Sequence, residues 1–242
     1  MMPFQKYACV DLGNTDLKVA LFEQGVLSVV KRLRSLQELV ELLPSDIPIA
    51  VSSVADTSLE SKFKSQYSEI TFIHSNLKLP FVNEYQTPNT LGIDRLCNVA
   101  ALTQKNVSGP KLAVDLGTCI KFDFLTSDNH YLGGSISPGL RMRFLGLNKQ
   151  TANLPLIEPQ QNPKLIGKTT KESLISGVQN GIIAEIFGMI QQYEKQFPHL
   201  CVYFTGGDLQ NFDFPQKNNI FADENLTLIG ISEIYKLNAH PH

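Results

Sequence analysis

VDLGNTDLKVALF, residues 10–22, decides how the rest of the chain is read, because VDLGTCIKFDFL returns at residues 114–125. In each string a short apolar run, which reads as a buried strand, ends in an aspartate, a glycine and a threonine. One such string is explained by a strand-end turn in which Asp and Thr act as local caps. Two, each after a matching strand, imply two halves built to one plan. Glycine lets backbone N–H groups approach an anion with no Cβ in the way. In the first string Thr15 adds a hydroxyl donor and Lys18 a mobile cation for phosphate. Asp11 cannot usefully touch phosphate directly, since like charges repel; it suits Mg²⁺, or the waters of a Mg²⁺ shell, bridging to phosphate oxygens. The second string supplies the same kit in Asp115, Gly117 and Thr118. Two such loops facing each other would grip a polyphosphate from both sides.

The sequence around these strings alternates between strand and helix signals. YACVD (7–11) is a strand, and LKVALFEQGVLSVVKRL (17–33) a hairpin turning near Glu23-Gln24-Gly25. SLQELVELL, from Ser35, has helical apolar spacing and a capping serine. IPIAVSSV and EITFIH are further strands with a helical segment from Ser58 between them, and GIDRLCNVAALTQ is an amphipathic helix starting near Gly92. KLAVDLG (111–117) begins the pattern again, with a hairpin through SDNHYLGG. GGSISPG (133–139) reads as a Gly/Pro break, a rigid turn before a helix from Leu140. NLPLIEPQQNPKLIG is irregular, a long helix covers Lys171 to Phe197, LCVYFTGG is a strand, and TLIGISEIYKLN a closing helix. The boundary between lobes is expected at NVSGP (106–110), giving lobes 1–108 and 109–242.

Bulk properties narrow the function. The chain has 242 residues, 43% hydrophobic and 18% charged, enough for one large domain or two lobes. A net charge of -2 without a basic stripe argues against nucleic acid as the main partner. The N-terminus lacks the apolar core of a signal peptide, and no run reads as a membrane span, so a soluble cytoplasmic protein is expected. Cys9, Cys97, Cys119 and Cys201 are scattered and form no C-x-x-C pair, which fits free thiols in a reducing compartment. The histidines show no ligand spacing.

Two Asp-Gly-Thr hairpin loops and a late FTGGD (204–208) resemble the actin-like ATPase and sugar-kinase superfamily. Four further segments narrow the resemblance: YQTPNTLGIDR (85–95), GGSISPGL (133–140), TANLP (151–155) and GKTTKESLISG (167–177). In this order the chain resembles the type III pantothenate kinases, from Asp11 nearly to its end. The resemblance implies an α/β fold of two actin-like (ribonuclease H-like) lobes, each a mixed sheet flanked by helices, with the active-site cleft between them. It implies ATP-dependent phosphorylation of pantothenate, Mg²⁺, a monovalent cation (potassium or ammonium), and a homodimer. Carried over by residue, Asp11, Leu12, Gly13, Asn14, Thr15, Asp16, Leu17 and Lys18 form the first ATP loop, and Thr118 is an ATP contact. Asp94 matches the general base; Tyr85, Gly92, Ile93, Asp94 and Arg95 match the pantothenate contacts. Asp115 matches the monovalent-cation ligand, and Thr170 a substrate contact from the facing subunit.

The chemistry of these residues agrees with that assignment. A helix N-terminus favours the ionised carboxylate that a base needs, and Arg95 can grip the pantothenate carboxylate through its planar fork. Tyr85 can pack its ring on the aliphatic part of the substrate. Without the resemblance, GIDR reads as a helix-start acid with a surface ion pair, Tyr85 as a loop tyrosine, and Thr169 or Thr170 as an N-cap. The glycine pair of FTGGD permits close approach of a flat ligand such as adenine, or a tight turn. One departure stands out: Cys119-Ile120-Lys121 follows the second Asp-Gly-Thr, where the family has small or hydroxyl residues. Cys119, Lys121 and Asp123 share a strand face, so Lys121 is expected to pair with Asp123 or, alternatively, to place its ammonium by Asp115.

Overall fold

The computed structural model describes residues 6–13, 17–53, 57–214 and 219–239, with the side chains of residues 53 and 57–60 left aside. Asn14, Thr15 and Asp16 of the first loop lie outside the described residues. The chain forms two compact units: residues 1–106, 129–132 and 225–242, and residues 107–128 and 133–224.

In the first unit β1 (Lys6–Leu12), β2 (Leu17–Glu23), β3 (Val26–Leu33), β4 (Ile49–Ser53) and β5 (Ile70–Phe72) form a mixed sheet in the order β3-β2-β1-β4-β5. β1 runs antiparallel to β2 and parallel to β4, and β4 parallel to β5. Central β1 is flanked on both sides, which explains why Ala8, Cys9 and Val10 are all apolar and fully buried. The β2–β3 turn places Gln24 (φ 51°) and Gly25 (φ 78°) in the left-handed region, as a tight two-residue hairpin requires. Helix α1 (Leu36–Leu42) starts at Ser35, whose Oγ accepts the Glu38 N–H at 3.3 Å. Helix α2 (Thr57–Gln66) joins β4 to β5.

Helix α3 (Ile93–Thr103) is buried almost throughout from Arg95 to Leu102. It is covered by the closing helix α7 (Leu226–Asn238), which also packs on β1. A Cβ on Gly230 would sit 1.7 Å from the Cys97 carbonyl oxygen, so only glycine permits this approach. Thr227 donates to Asn98 Oδ1 at 2.8 Å along the same seam. The closing helix therefore belongs with the first unit, whereas sequence order placed it in the C-terminal lobe. The reason is this backbone contact between segments remote in sequence.

In the second unit β7 (Lys111–Leu116), β8 (Cys119–Leu125), β9 (His130–Pro138), β10 (Cys201–Thr205) and β11 (Ile220–Ala222) follow the order β9-β8-β7-β10-β11. β7 is antiparallel to β8 and parallel to β10, which is parallel to β11. The order and directions repeat those of the first unit, and the actin-like duplication expected from the two strings is present. A short strand β6 (Val82–Asn83) pairs with His130 and Tyr131, residues counted with the first unit.

One local expectation is corrected. GGSISPG is not a break, because β9 continues through it to Pro138. Gly134 lies so close to β8 that a Cβ would stand 1.6 Å from the Phe122 carbonyl oxygen; the glycine permits strand pairing rather than ending it.

Helix α4 (Leu140–Gln150) follows, then irregular chain. Helix α5 (Thr170–Ile175) runs through a wider π-type turn (Ser176–Asn180) into α6 (Gly181–Gln196). At that turn buried Gln179 donates to the Gln160 carbonyl (2.9 Å) and accepts the Gln160 N–H (3.0 Å), which fixes the Pro-rich segment to the helix. Residues Thr170–Gln196 are long and apolar enough to cross a membrane by length and composition, but Ile182, Ile186 and Ile190 pack into the second unit's core.

Candidate active site

In the first unit the charges of two carboxylates reach one buried thiol. Asp11 is the next-to-last residue of β1, opposite Lys18 on β2 and Ser52 on β4. Its side chain is half-buried, while those of Leu12 and Leu17 are core residues. Any role of these two leucines towards phosphate is therefore limited to their backbone. Asp94 occupies the first turn of α3, and its Oδ1 accepts the Arg95 N–H at 2.9 Å. Burial pushes the Cys97 thiol well up in pKa, and the charges of Asp11 and then Asp94 push in the same direction. Both acids thus bear on the same thiol, which lies one turn beyond Asp94.

Gly92 explains how Asp94 finds room. It precedes the helix, and a Cβ there would lie 2.5 Å from Asp94 Oδ1. Glycine is needed here for space; its φ of -59° is ordinary. Ile93 opens the helix, half-buried. Arg95 is 4% exposed and carries its guanidinium 5.5 Å from the centroid of the Tyr85 ring. Tyr85 in turn stacks on Tyr131, with ring centroids 6.1 Å apart and planes 18° from parallel. A cation held against an aromatic platform is oriented more narrowly than a surface arginine. Asp94, Arg95 and Tyr85 therefore form one group.

The second unit builds a tighter loop. Asp115 on β7 faces Lys121 on β8, and Lys121 Nζ lies 2.8 Å from Asp115 Oδ2. The ammonium stands at the residue directly across the ladder, as one of the two expectations had it. Both side chains are largely buried, 14% and 10% exposed. The turn closes with Gly117 N–H donating to the Cys119 carbonyl at 3.1 Å, and Thr118 is exposed at its tip. Two glycines from elsewhere in the unit press on it. A Cβ on Gly139 would meet the carbonyl oxygens of Gly117 and Thr118 at 2.2 and 2.4 Å. One on Gly206 would meet the Leu116 carbonyl oxygen at 2.3 Å and Asp115 Oδ1 at 2.6 Å. Gly206 also has φ 102°, which favours glycine. The close approach at FTGGD is thus made by Gly206 to its own chain, while Gly207 faces open space.

One neighbour of Asp115 was not assigned from sequence. Asp208 is half-buried; burial first, then the Asp115 charge, raises its pKa, against a hydrogen bond from Asn211 (3.3 Å) that lowers it. The acid in FTGGD was the available signal, but nothing local paired it with Asp115. Thr170 is exposed as the first residue of α5, and the capping role belongs to Thr169, whose Oγ1 accepts the Glu172 N–H at 3.1 Å.

Comparison with known proteins draws these observations together. The type III pantothenate kinase family model matches residues 8–192, a span that includes both acid-glycine loops and the start of α3. The chain belongs to the type III pantothenate kinases. A type III pantothenate kinase from Christiangramia forsetii is 42% identical over 238 residues, covering 95% of this chain and 97% of the relative. One from Flavobacterium johnsoniae is 37% identical over 235 residues, covering 94% and 96%. Among solved structures, a Campylobacter jejuni protein described as a Baf family transcriptional activator shares the fold, with a TM-score of 0.60 at 22% identity over 95% and 97% of the two chains. Type III pantothenate kinases are phosphotransferases that use ATP, and the first unit of this chain carries the acid, arginine and tyrosine that its family resemblance assigns to the acceptor.

Proposed function

We propose that this chain transfers the γ-phosphoryl group of ATP to the primary hydroxyl of pantothenate, the entry step to coenzyme A, with Asp94 as the general base. The opening of α3 carries this reading: Gly92 leaves room for the Asp94 carboxylate, and Arg95 and Tyr85 stand beside it. The acceptor is a neutral alcohol, so a carboxylate must take its proton as the O–P bond forms. Arg95, fixed against Tyr85, would hold the pantothenate carboxylate, and Tyr85 and the Gly92–Ile93 backbone would line the rest of the acceptor.

Phosphoryl transfer asks the protein mainly for position and charge. In the first unit, Asp11 through Lys18 would receive phosphate oxygens, with Lys18 as the mobile cation; in the second, Thr118 would donate its exposed hydroxyl. Half-buried Asp11 at a strand end suits Mg²⁺ or its water shell, which when bound would neutralise phosphate charge. The monovalent cation does not fit in the same way: Asp115, which would ligate it, already carries Lys121. Exposed Thr170 would reach acceptor in a homodimer, and its exposed apolar neighbours Leu165 and Ile166 (81% and 75% exposed) support a covered surface there. The four free cysteines fit a cytoplasmic location.

Incubation with pantothenate, ATP and Mg²⁺ should yield ADP and 4′-phosphopantothenate in equal amounts. Asp94→Asn should lower kcat by about 10²–10⁴-fold with an unchanged melting temperature. An Asp94→Asn enzyme of wild-type rate, or a wild type that phosphorylates some other alcohol and not pantothenate, would sink the reading.

A further inference from the structure

The acid of the second loop already has its counter-cation. Asp115 Oδ2 is 2.8 Å from the Lys121 ammonium, within direct ion-pair and hydrogen-bond reach. At the other oxygen Gly206 comes so close that a Cβ added there would lie 2.6 Å from Oδ1. Asp208 adds a second carboxylate that feels the Asp115 charge. The Lys121 ammonium thus compensates Asp115 in a largely buried setting, where an uncompensated carboxylate is costly.

An alkylammonium head carries the charge of a potassium or ammonium ion, is of similar size, and offers three donors to oxygen ligands. Lys121 reaches Asp115 from the opposed position on the neighbouring strand, so the ladder register fixes where the ammonium stands. We propose that Lys121 is this chain's own monovalent cation: its ammonium takes the place at Asp115 that the family resemblance gives to potassium or ammonium, and turnover needs no added monovalent ion. Lys121 acts here as a positioning residue, holding Asp115 and the loop that ends in Thr118. The kinetic part of the proposal rests on the pantothenate kinase reading; the cation part does not.

The experiment compares wild type, Lys121→Ala and Lys121→Met in tetramethylammonium chloride and in potassium chloride at equal ionic strength, following both phosphopantothenate formation and thermal unfolding. Wild type should change by less than about twofold in kcat/KM between the salts, and Lys121→Ala should lose about tenfold or more in tetramethylammonium and recover in potassium. Melting gives an independent readout: potassium should leave wild type unmoved and raise the melting temperature of both variants, since an ion bound only by the folded state stabilises it. A wild type that needs potassium for turnover, or that melts higher in potassium by the same amount as Lys121→Met, would overturn the proposal. A wild type that forms no phosphopantothenate in either salt would instead defeat the kinase reading, while the melting comparison would still decide the role of Lys121.

Discussion

Asp11 stands opposite Lys18 on the first hairpin, and Asp115 opposite Lys121 on the second. The two ladders repeat one arrangement, but their turns differ. In the first, residues 13–16 connect the last paired residues Leu12 and Leu17; in the second, residues 117–119 connect Leu116 and Ile120. The shorter turn is braced by Gly139 and Gly206, and its lysine is locked onto its acid. The first unit also carries a helix start with Asp94 beside an arginine on an aromatic platform. Duplication supplied two acid-glycine hairpin frames; the first is joined by the α3 start from outside its string, while the second holds its ion pair within its own string and is braced by Gly139 and Gly206 from outside it.

Substitutions that disturb each frame separately test that division. The largest effect is expected from Gly206→Ala, which forces an L side chain to φ 102° and into the Leu116 carbonyl oxygen. It should cost about 1–3 kcal/mol of stability, seen in denaturant unfolding. Displacement of the braced loop should also reduce turnover by about 10²-fold.

Gly92→Ala should separate the units more sharply. Its clash is with the movable Asp94 carboxylate, not with backbone, so the melting temperature should hardly change. Turnover should nevertheless fall, by about ten- to a hundredfold, as the Asp94 carboxylate is displaced. Equal losses of stability and rate would show that the first frame is as rigidly braced as the second.

Lys18→Ala should raise KM for ATP by about tenfold, the cost of a charged phosphate contact of about 1.4 kcal/mol, and potassium should not restore it. Rescue by potassium would erase the distinction between the two lysines.

The smallest effect is a pH dependence at Asp208. Its folded pKa is raised, chiefly by burial, so the folded state binds the proton more tightly than the unfolded chain does. That contribution is favourable below the ordinary aspartate value of about 3.9 and is lost as pH rises through the folded value. Asp208→Asn should therefore melt above wild type at neutral pH, with the gain shrinking in acid. Differential scanning calorimetry at both ends of that range checks the sign.

Local pattern made much of this legible. The repeated strings revealed the duplication, the Gln24-Gly25 turn and the Ser35 cap were visible as residue chemistry, and GIDR marked the helix start that carries Asp94. What escaped depends on partners far along the chain. GGSISPG looked like a break because its Gly134 serves the carbonyl of Phe122, which no nearby residue announces. The closing helix was given to the wrong half because its seat is the Cys97 backbone. Asp208 became notable only through the charge of Asp115. The two short strands Val82–Asn83 and Ile220–Ala222 carry too few residues for a periodicity to show.

The seat of Gly230 against Cys97 has a consequence for biogenesis. The helix that presents Asp94 is made before residues 107–128 and 133–224 of the second unit, and the helix that covers it only after them. Until residues 226–238 have been made, the buried residues 96–102 of α3 lack the cover of α7, so the half that carries Asp94 is completed only after the chain of the second unit.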